Sequence, residues 1–287
     1  MFKYIKIILI ISFATFTLGF SQDNYSLSFD GEDDYVDLGT DHEINGDFTI
    51  QASVKIADGD PRSYNIYAKS DENYSASGAV RGYKLVIYQG YLRFGYRQEN
   101  GDDFAEIVSN TNLISDQFYN VAVTRNNDVI SLYVNGILDA TGISNVDINF
   151  TDPVSSYLGR WWNGVTGFET NSHFEGLIDD VGIWEVALSE SQIQANIGNQ
   201  PSFQMEGLFG YWNFNEGIYD LLEDVTGNGN DGLIFGASWD EEVPNGCNDP
   251  LAENYDEGST FNDGSCAYPY NGDYLLSLNG QDNYVVG

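Results

Sequence analysis

Positive charge is scarce in this sequence. Lys and Arg together number 11 against 44 Asp and Glu, so the formal net charge is −33 at pH 7. A surface this negative repels phosphate backbones and anionic membranes, which argues against nucleic acid and membrane partners. Two interpretations remain: a solvated acidic surface outside the cell, which we assign to most of these charges, and carboxylate clusters that capture divalent cations.

Cysteine is nearly absent. Cys247 and Cys266 are the only two, and both follow the main body of the chain in a stretch rich in Asp, Asn and Gly. A zinc site would need further ligands, and both histidines, His42 and His173, lie far away in the sequence. In an oxidising compartment we therefore expect the two cysteines to form a disulfide.

Long apolar runs are also missing, except for one at the N-terminus. Lys3 and Lys6 precede the apolar stretch 7–20, and small residues flank Phe20. Residues 1–21 thus predict a signal peptide, and hence a secreted or cell-surface protein with no membrane insertion after cleavage. The alternative is an uncleaved anchor, for which the run is short against a span of about 20 residues.

Aromatic residues and glycine are plentiful, with 20 Tyr, 17 Phe and 31 Gly. Apolar and polar residues alternate from Phe48 to Ile56, and the segments 83–88 and 91–96 read as a hairpin. Asn135-Gly136 is a strong hairpin turn signal, and a single short helix is expected at 189–197, capped by Ser189 and with Ile193 facing inward. Many short strands with almost no helix predict an all-β sandwich or barrel.

An internal repeat lies at the two ends of the chain. The stretch 24–36, with Leu27-Ser28-Phe29-Asp30-Gly31, reappears at 273–285 as Leu276-Ser277-Leu278-Asn279-Gly280. We expect residues 272–287 to begin a second copy of the domain, as in a fragment of a longer, multi-module protein.

Several spaced motifs resemble laminin-G-like jelly rolls of the concanavalin A-like superfamily. They occur in the family's order over roughly residues 24–200. The resemblance implies a two-sheet antiparallel jelly-roll sandwich over 22–240. The motifs are the opening strand with Asp30-Gly31, the strand Phe48–Val54, the hairpin Phe118–Gly136, and the closing strand Phe174–Trp184 with the following Ala187-Leu188-Ser189.

Two later segments resemble companions of this family in secreted Bacteroidetes-type proteins. In residues 207–240 we expect two strands and a Gly/Asn turn that complete the edge of the sandwich. Residues 245–269 resemble a short Cys-bounded, Asp/Asn-rich linker between modules. Its carboxylates and amide give only part of a calcium loop, so a plain disulfide-closed linker is the preferred interpretation.

The resemblance implies one metal, a structural calcium ion. Asp179 matches the closing-strand aspartate that binds calcium in members of the superfamily. Asp30 is its expected partner if the first and last strands pair. The alternative is that Asp30 shapes a turn and Asp179 accepts backbone hydrogen bonds.

Exposed aromatic rings would mark a glycan site, because sugar C–H faces stack on them. Trp161 and Trp162 are the leading candidates, with core packing as the alternative. No pair of carboxylates has the spacing of the related hydrolases, so we expect no enzymatic activity. The predicted function is an extracellular binding or adhesion module for glycan or protein. The alternatives are a structural spacer in a surface protein and a polysaccharide-active glycoside hydrolase.

Overall fold

The computed structural model describes residues 24–40, 46–57, 63–70, 82–97, 104–144, 155–163, 167–168, 172–244, 246–247 and 251–253. The predicted signal peptide 1–21, the second cysteine of the expected disulfide, Cys266, and the predicted second copy at 272–287 lie outside these residues. No helix among the described residues is long and apolar enough to cross a membrane.

The described chain is built almost entirely from strands. In chain order the elements are β1 Ser26–Asp30, β2 Tyr35–Asp37, β3 Phe48–Ile56, β4 Ser63–Ser70, β5 Gly82–Tyr88, β6 Tyr91–Arg97, β7 Phe104–Asn112, β8 Phe118–Asn126, β9 Val129–Val134, β10 Ile137–Ile143, β11 Ser156–Leu158, β12 Trp162–Asn163, β13 Gly167–Phe168, β14 Glu175–Trp184, α1 Glu190–Asn196, β15 Leu208–Trp212, β16 Leu221–Leu222, β17 Gly232–Phe235 and β18 Ser238–Asp240.

Two large antiparallel sheets contain most of these strands. The first sheet has the order β10-β9-β8-β3-β14-β1-β18, with β15 also paired to β14. The second sheet has the order β16-β17-β2-β11-β4-β5-β6-β7, and β12 pairs separately with β13. The predicted all-β, two-sheet jelly-roll sandwich is confirmed.

The core lies between the two sheets because each strand points alternate side chains inward. In β3 the residues Phe48, Ile50, Ala52 and Val54 are fully buried in this core. Phe48 packs against Phe94 of the second sheet, with ring centroids 5.5 Å apart. The period-two pattern of the sequence therefore corresponds to the inner face of the first sheet.

Tight turns join neighbouring strands at the predicted positions. Gln89 and Gly90 have φ values of 54° and 78°, and Asn135 and Gly136 have values of 50° and 73°. Two consecutive positive φ angles are typical of the type I′ turn, which matches the twist of a hairpin. The hairpins β5–β6 and β9–β10 follow from these pairs.

The one predicted helix is present and covers part of the outer side of the first sheet. Ser189 caps α1 in a reciprocal capping box with Gln192, and Ile193 is buried. Beneath the helix, the Gln51 amide donates hydrogen bonds to Asn120 Oδ1 at 2.8 Å and to the Ile193 carbonyl at 3.0 Å. The helix therefore explains why this outward-facing polar side chain of β3 is buried.

The segment 207–240 contributes more strands than the two expected. It supplies β15 and β18 to the first sheet, and β16 and β17 to the edge of the second. Because β18 pairs with β1 and β17 pairs with β2, this segment extends both layers of the sandwich beside the N-terminal strands.

Candidate ligand-binding face and acidic cleft

The outward side of the second sheet carries aromatic side chains. The register aligns one outward-facing row across five strands, from β17 to β5. Since Val36 and Leu158 point into the core, their neighbours Tyr35 and Tyr157 point outward. The row consists of Leu233, Asp37, Tyr157, Ala68 and Lys84.

Rings from several strands pack together on this side. Tyr35 stacks on Phe235 with a centroid distance of 4.6 Å and an interplanar angle of 12°. Tyr35 also meets Tyr157 edge to face at 6.0 Å. We define the aromatic face as the outward side of the second sheet with the rings of Tyr35, Tyr88, Tyr157, Trp161 and Phe235.

Cationic side chains lie over these rings. The Arg160 guanidinium carbon is 3.2 Å from the Tyr35 centroid and 4.0 Å from the Tyr157 centroid. The Lys84 ammonium is 5.1 Å from the centroid of Trp161. Cation–π contacts of this kind hold a ring in one orientation, so the face is ordered before any ligand arrives.

Another cation lies over an aromatic ring near β6 and β7. Arg93 lies over Tyr88 at 5.0 Å and forms an ion pair with Glu106 at 2.9 Å. The Tyr88, Tyr35 and Trp161 side chains are half-buried, and Phe235 is 42% exposed. Partly exposed rings beside charged groups can stack on an amphipathic ligand while polar side chains bind its hydroxyls.

The structure places the predicted Trp161 on the aromatic face, in the segment that follows β11. Trp162 belongs to β12, which pairs with β13. The side chain of Trp162 lies outside the described part of the chain, and its role stays a prediction.

A second polar site, the acidic cleft, lies where β14 and β15 meet. We define it by the side chains of Asp179, Asp180, Asn213, Asn215 and Glu216. The cavity has a volume of about 370 Å³ and is lined by the first four of these residues and Tyr211.

The register of β14 with β3 shifts between Asp179 and Gly182. Such a bulge re-aims side chains, and here the two consecutive aspartates line one cavity.

Hydrogen bonds hold both aspartates of the cleft. Asp180 has a φ of 50°, a left-handed conformation that is costly for a residue with a Cβ. Its backbone N–H donates to Asp179 Oδ1 at 2.7 Å, and the Tyr211 hydroxyl donates to Asp180 Oδ1 at 2.5 Å. One oxygen of each carboxylate is therefore engaged within the protein.

The electrostatics of the acidic cleft disfavour ionised carboxylates. Asp179 is only 2% exposed. Burial, followed by the neighbouring charge of Asp180, raises its pKa well above the ordinary value of 3.8, against the opposing effect of the Asp180 N–H. Burial also raises the pKa of Asp180 and of Glu216. Perturbed carboxyl groups gathered in a cleft are a recognised sign of a functional site.

Some oxygen atoms at this site have no partner. Asn215 Oδ1 and Glu216 Oε2 are buried without a hydrogen bond among the described residues. No lysine or arginine in the described segments pairs with Asp179, Asp180 or Glu216. Buried oxygen acceptors without donors or counter-charges are what a hard divalent cation would satisfy.

The expected pairing of Asp30 with Asp179 is not observed. The strands β1 and β14 do pair, but the register places Asp30 opposite Glu175, four positions before Asp179. Four residues span about 13 Å along a strand, too far for one ion. Asp30 instead lies with Asp33 and Asp34, whose carboxylate oxygens are within 4.8 Å of one another.

Sequence reasoning missed most of the cleft. It found Asp179 by motif but not Tyr211, Asn213 or Asn215. A signal was present, because these three residues alternate with the buried Trp212 and Phe214 in one period-two run. The run was assigned only to a strand that completes the edge of the sandwich.

Two further residues, Asp224 in the segment 207–240 and the predicted disulfide cysteine Cys247, lie outside both sites. The Asp224 carboxylate accepts hydrogen bonds from the backbone N–H groups of Tyr211, Thr226 and Asn230 at 3.1–3.2 Å, so it organises a turn. Cys247 is fully buried, and no described cysteine is a free thiol. Its pairing with Cys266 stays a prediction because Cys266 lies outside the described residues.

Comparison with known proteins supports the architecture. The laminin G family model described as "Concanavalin A-like lectin/glucanases superfamily" matches residues 30–194. No curated protein sequence matches the chain.

Two solved structures show the same fold. A Bacteroides ovatus protein, named as a candidate carbohydrate-binding protein, superposes with a TM-score of 0.58 at 20% identity, over 76% of this chain. The chain spans 59% of the length of that protein. The CBM40 domain of a Ruminococcus gnavus IT-sialidase, solved with α2,3-sialyllactose, superposes with a TM-score of 0.50 at 19% identity, over 59% of this chain and 95% of that domain.

Proposed function

The chain belongs to the concanavalin A-like lectin/glucanases superfamily, and from this premise we propose that it is a non-catalytic, extracellular carbohydrate-binding module. The aromatic face is the proposed glycan site, with Trp161 as a ligand-binding residue. The acidic cleft is the proposed site of a structural calcium ion. Expected partners are extracellular polysaccharides or glycans of a cell surface or matrix.

One observation carries the glycan proposal. An outward sheet face that only meets water is normally polar, whereas this one has partly exposed rings that cations hold in place. Tyr35 is covered by Phe235 and by Arg160, so the sides of Trp161 and Phe235 that remain open are the flat apolar surfaces proposed for sugar C–H groups. The adjacent Lys84 and Asp37 supply hydrogen-bonding groups. The names of the two structural neighbours refer to carbohydrate binding or a bound sugar, in agreement with this proposal.

The residues of the acidic cleft fit a calcium ion. Calcium takes six to eight oxygen ligands at about 2.3–2.6 Å from carboxylates, amide and backbone carbonyls, and water. Asp179 and Asp180 would supply carboxylate oxygens, and Asn213 and Asn215 would supply amide oxygens. The Glu216 carboxylate does not join both aspartates within 4.8 Å, so we do not count it among the ligands of the same ion. The buried, unpartnered Asn215 Oδ1 at the wall of the cavity is the observation that favours this cleft.

A glycan array followed by calorimetric titration of the best ligand tests the glycan proposal. Replacing Trp161 by Ala should weaken binding about fivefold or more, since a ring stacked on a ligand contributes about 1–3 kcal/mol. Phe203→Ala is the matched control, because Phe203 is also a partly exposed aromatic residue but lies between α1 and β15. Equal affinities of the two variants, or no bound glycan at all, would overturn the proposal.

A further inference from the structure

A row of hydroxyl side chains crosses the outer side of the first sheet, on the opposite side of the sandwich from the aromatic face. The register aligns Thr141 of β10 with Ser131 of β9, Ser131 with Thr124 of β8, and Thr124 with Thr49 of β3. All four point outward because their neighbours on β3, β8 and β9, such as Ile130 and Val123, are in the core. Four adjacent strands place these hydroxyls along a line of about 14 Å.

The inner end of this row holds a loop above the sheet. The Thr49 hydroxyl donates to the Val186 carbonyl at 2.8 Å and accepts from the Leu188 N–H at 2.9 Å. The Thr49 hydroxyl is therefore already hydrogen-bonded within the protein, both as a donor and as an acceptor. The loop that it anchors forms one wall of a groove of about 720 Å³, and Thr124, Ser131 and Tyr133 line the sheet side of the groove.

The two hydroxyls inside the groove are not used within the protein. Thr124 is 3% exposed and Ser131 is 9% exposed, so both are at least nine-tenths buried. Within the described part of the chain, neither hydroxyl has a hydrogen-bond partner. Neither oxygen is among the buried side-chain atoms without a partner, so both hydroxyls are open to the groove and can hydrogen-bond to a molecule that lies in it.

The other lining residues indicate the chemistry of that molecule. Among the described residues no lysine or arginine lines the groove, and Asp128 is the one acidic side chain there. An anion would find no counter-charge in the groove, and a metal ion would find a single carboxylate. Val129 and Ala187 add apolar surface, and Asn126 and Gln192 add amide groups. Hydroxyls, amides and small apolar patches together match a neutral sugar, whose hydroxyls and C–H groups alternate.

We propose that this groove is a second ligand site, which binds a neutral oligosaccharide through Thr124 and Ser131. The Tyr133 ring and Val129 contact the sugar C–H groups. This site lies outside the aromatic face and the acidic cleft, and it stands whether or not the proposed function of those sites is correct.

Amide chemical-shift titration of the ¹⁵N-labelled protein tests the proposal, with cellotriose, xylotriose and arabinotriose as the probes. At least one probe should cause saturable shifts at the amides of Thr124, Ser131 and Tyr133. The double variant Thr124→Val, Ser131→Ala should bind that probe about fivefold or more weakly, because two hydrogen bonds of about 0.5–1.5 kcal/mol each are lost.

Thr141→Val is the matched control, because Thr141 lies in the same row but outside the groove lining, and its affinity should be unchanged. Trp161→Ala should also leave the shifts at Thr124 intact, which separates this site from the aromatic face. Absence of saturable shifts with all three sugars, or equal affinity in the double variant, would overturn the proposal. Shifts confined to the aromatic face would also overturn it while supporting the proposed function.

Discussion

The hydroxyl of Tyr211 donates a hydrogen bond to Asp180 Oδ1 over 2.5 Å, and this bond joins β15 to the bulge of β14. It fixes the side chain of Asp180, a residue whose backbone is in the left-handed region. The Asp180 N–H in turn holds Asp179 Oδ1. The second oxygen of each carboxylate has no hydrogen bond among the described residues. These two free oxygens are the ones that we expect to bind a cation.

Chelation tests the metal assignment. Calcium at about 100 times its dissociation constant should add about 2.7 kcal/mol to the free energy of unfolding, so EDTA should lower the thermal midpoint measurably. Asp179→Asn should remove the difference between calcium and EDTA, because it removes a charged ligand of the acidic cleft. Asp30→Asn should keep the difference, since Asp30 lies with Asp33 and Asp34 instead.

Two other results of the chelation experiment would contradict the assignment of calcium to the acidic cleft. If Asp30→Asn abolishes the calcium effect and Asp179→Asn does not, the ion belongs to the Asp30–Asp33–Asp34 group. An unchanged thermal midpoint of the wild-type protein in EDTA would show that no structural calcium is held.

The stability of the metal-free protein should depend on pH in an unusual direction. The folded-state pKa of Asp179 is raised above its ordinary value of 3.8, mainly by burial, so the folded state binds this proton more tightly than the unfolded state. The resulting stabilisation is fully present below the unfolded pKa and is lost as pH rises through the raised folded pKa. In EDTA the protein should therefore become more stable as pH falls from 7 toward about 4.

Acidification also relieves the general repulsion of a chain with a net charge of −33, so this experiment needs a reference. The double variant Asp179→Asn, Asp180→Asn still gains stability from the reduced net charge at low pH. It loses the contribution that comes from protonating these two carboxyl groups. Urea unfolding at several pH values should give a smaller gain for the variant than for the wild-type protein. Parallel pH curves for the two proteins would mean that these carboxyl groups titrate normally.

Gly176, in the closing-strand motif, should tolerate no side chain. Its φ is 131°, and a Cβ at this position would lie 2.0 Å from the Lys55 carbonyl oxygen of the neighbouring strand. Gly176→Ala should cost at least about 2 kcal/mol of unfolding free energy, from the backbone conformation and from the overlap together. Urea unfolding provides the measurement.

Gly39→Ala separates the two contributions to this cost. Gly39 has a φ of 77°, but a Cβ added there would have no atom of the described residues within 4 Å, so the substitution adds conformational strain alone. We expect a loss of about 1 kcal/mol there. If Gly176→Ala lowers the unfolding free energy no more than Gly39→Ala does, the overlap with the Lys55 carbonyl of β3 adds nothing to the cost.

Much of the fold could be predicted from local patterns. The alternation from Phe48 to Ile56, the Asn135-Gly136 turn and the cap at Ser189 each depend on neighbouring residues only, and each is found where expected. The family resemblance came from the spacing of such local motifs. Trp161 was also identified as a candidate from its neighbours in the sequence, and it lies on the aromatic face.

The sequence by itself determined the strand pattern, the turns and the charge of this protein, because these follow from periodicity, backbone preferences and composition. Only the tertiary structure decided which side chains meet. The register of β1 against β14 separates Asp30 from Asp179, and the bulge in β14 brings Asp180 to Tyr211 of a strand 31 residues later. Register and bulges are set by packing among distant strands, and a shift of one residue moves a side chain to the other face of its sheet.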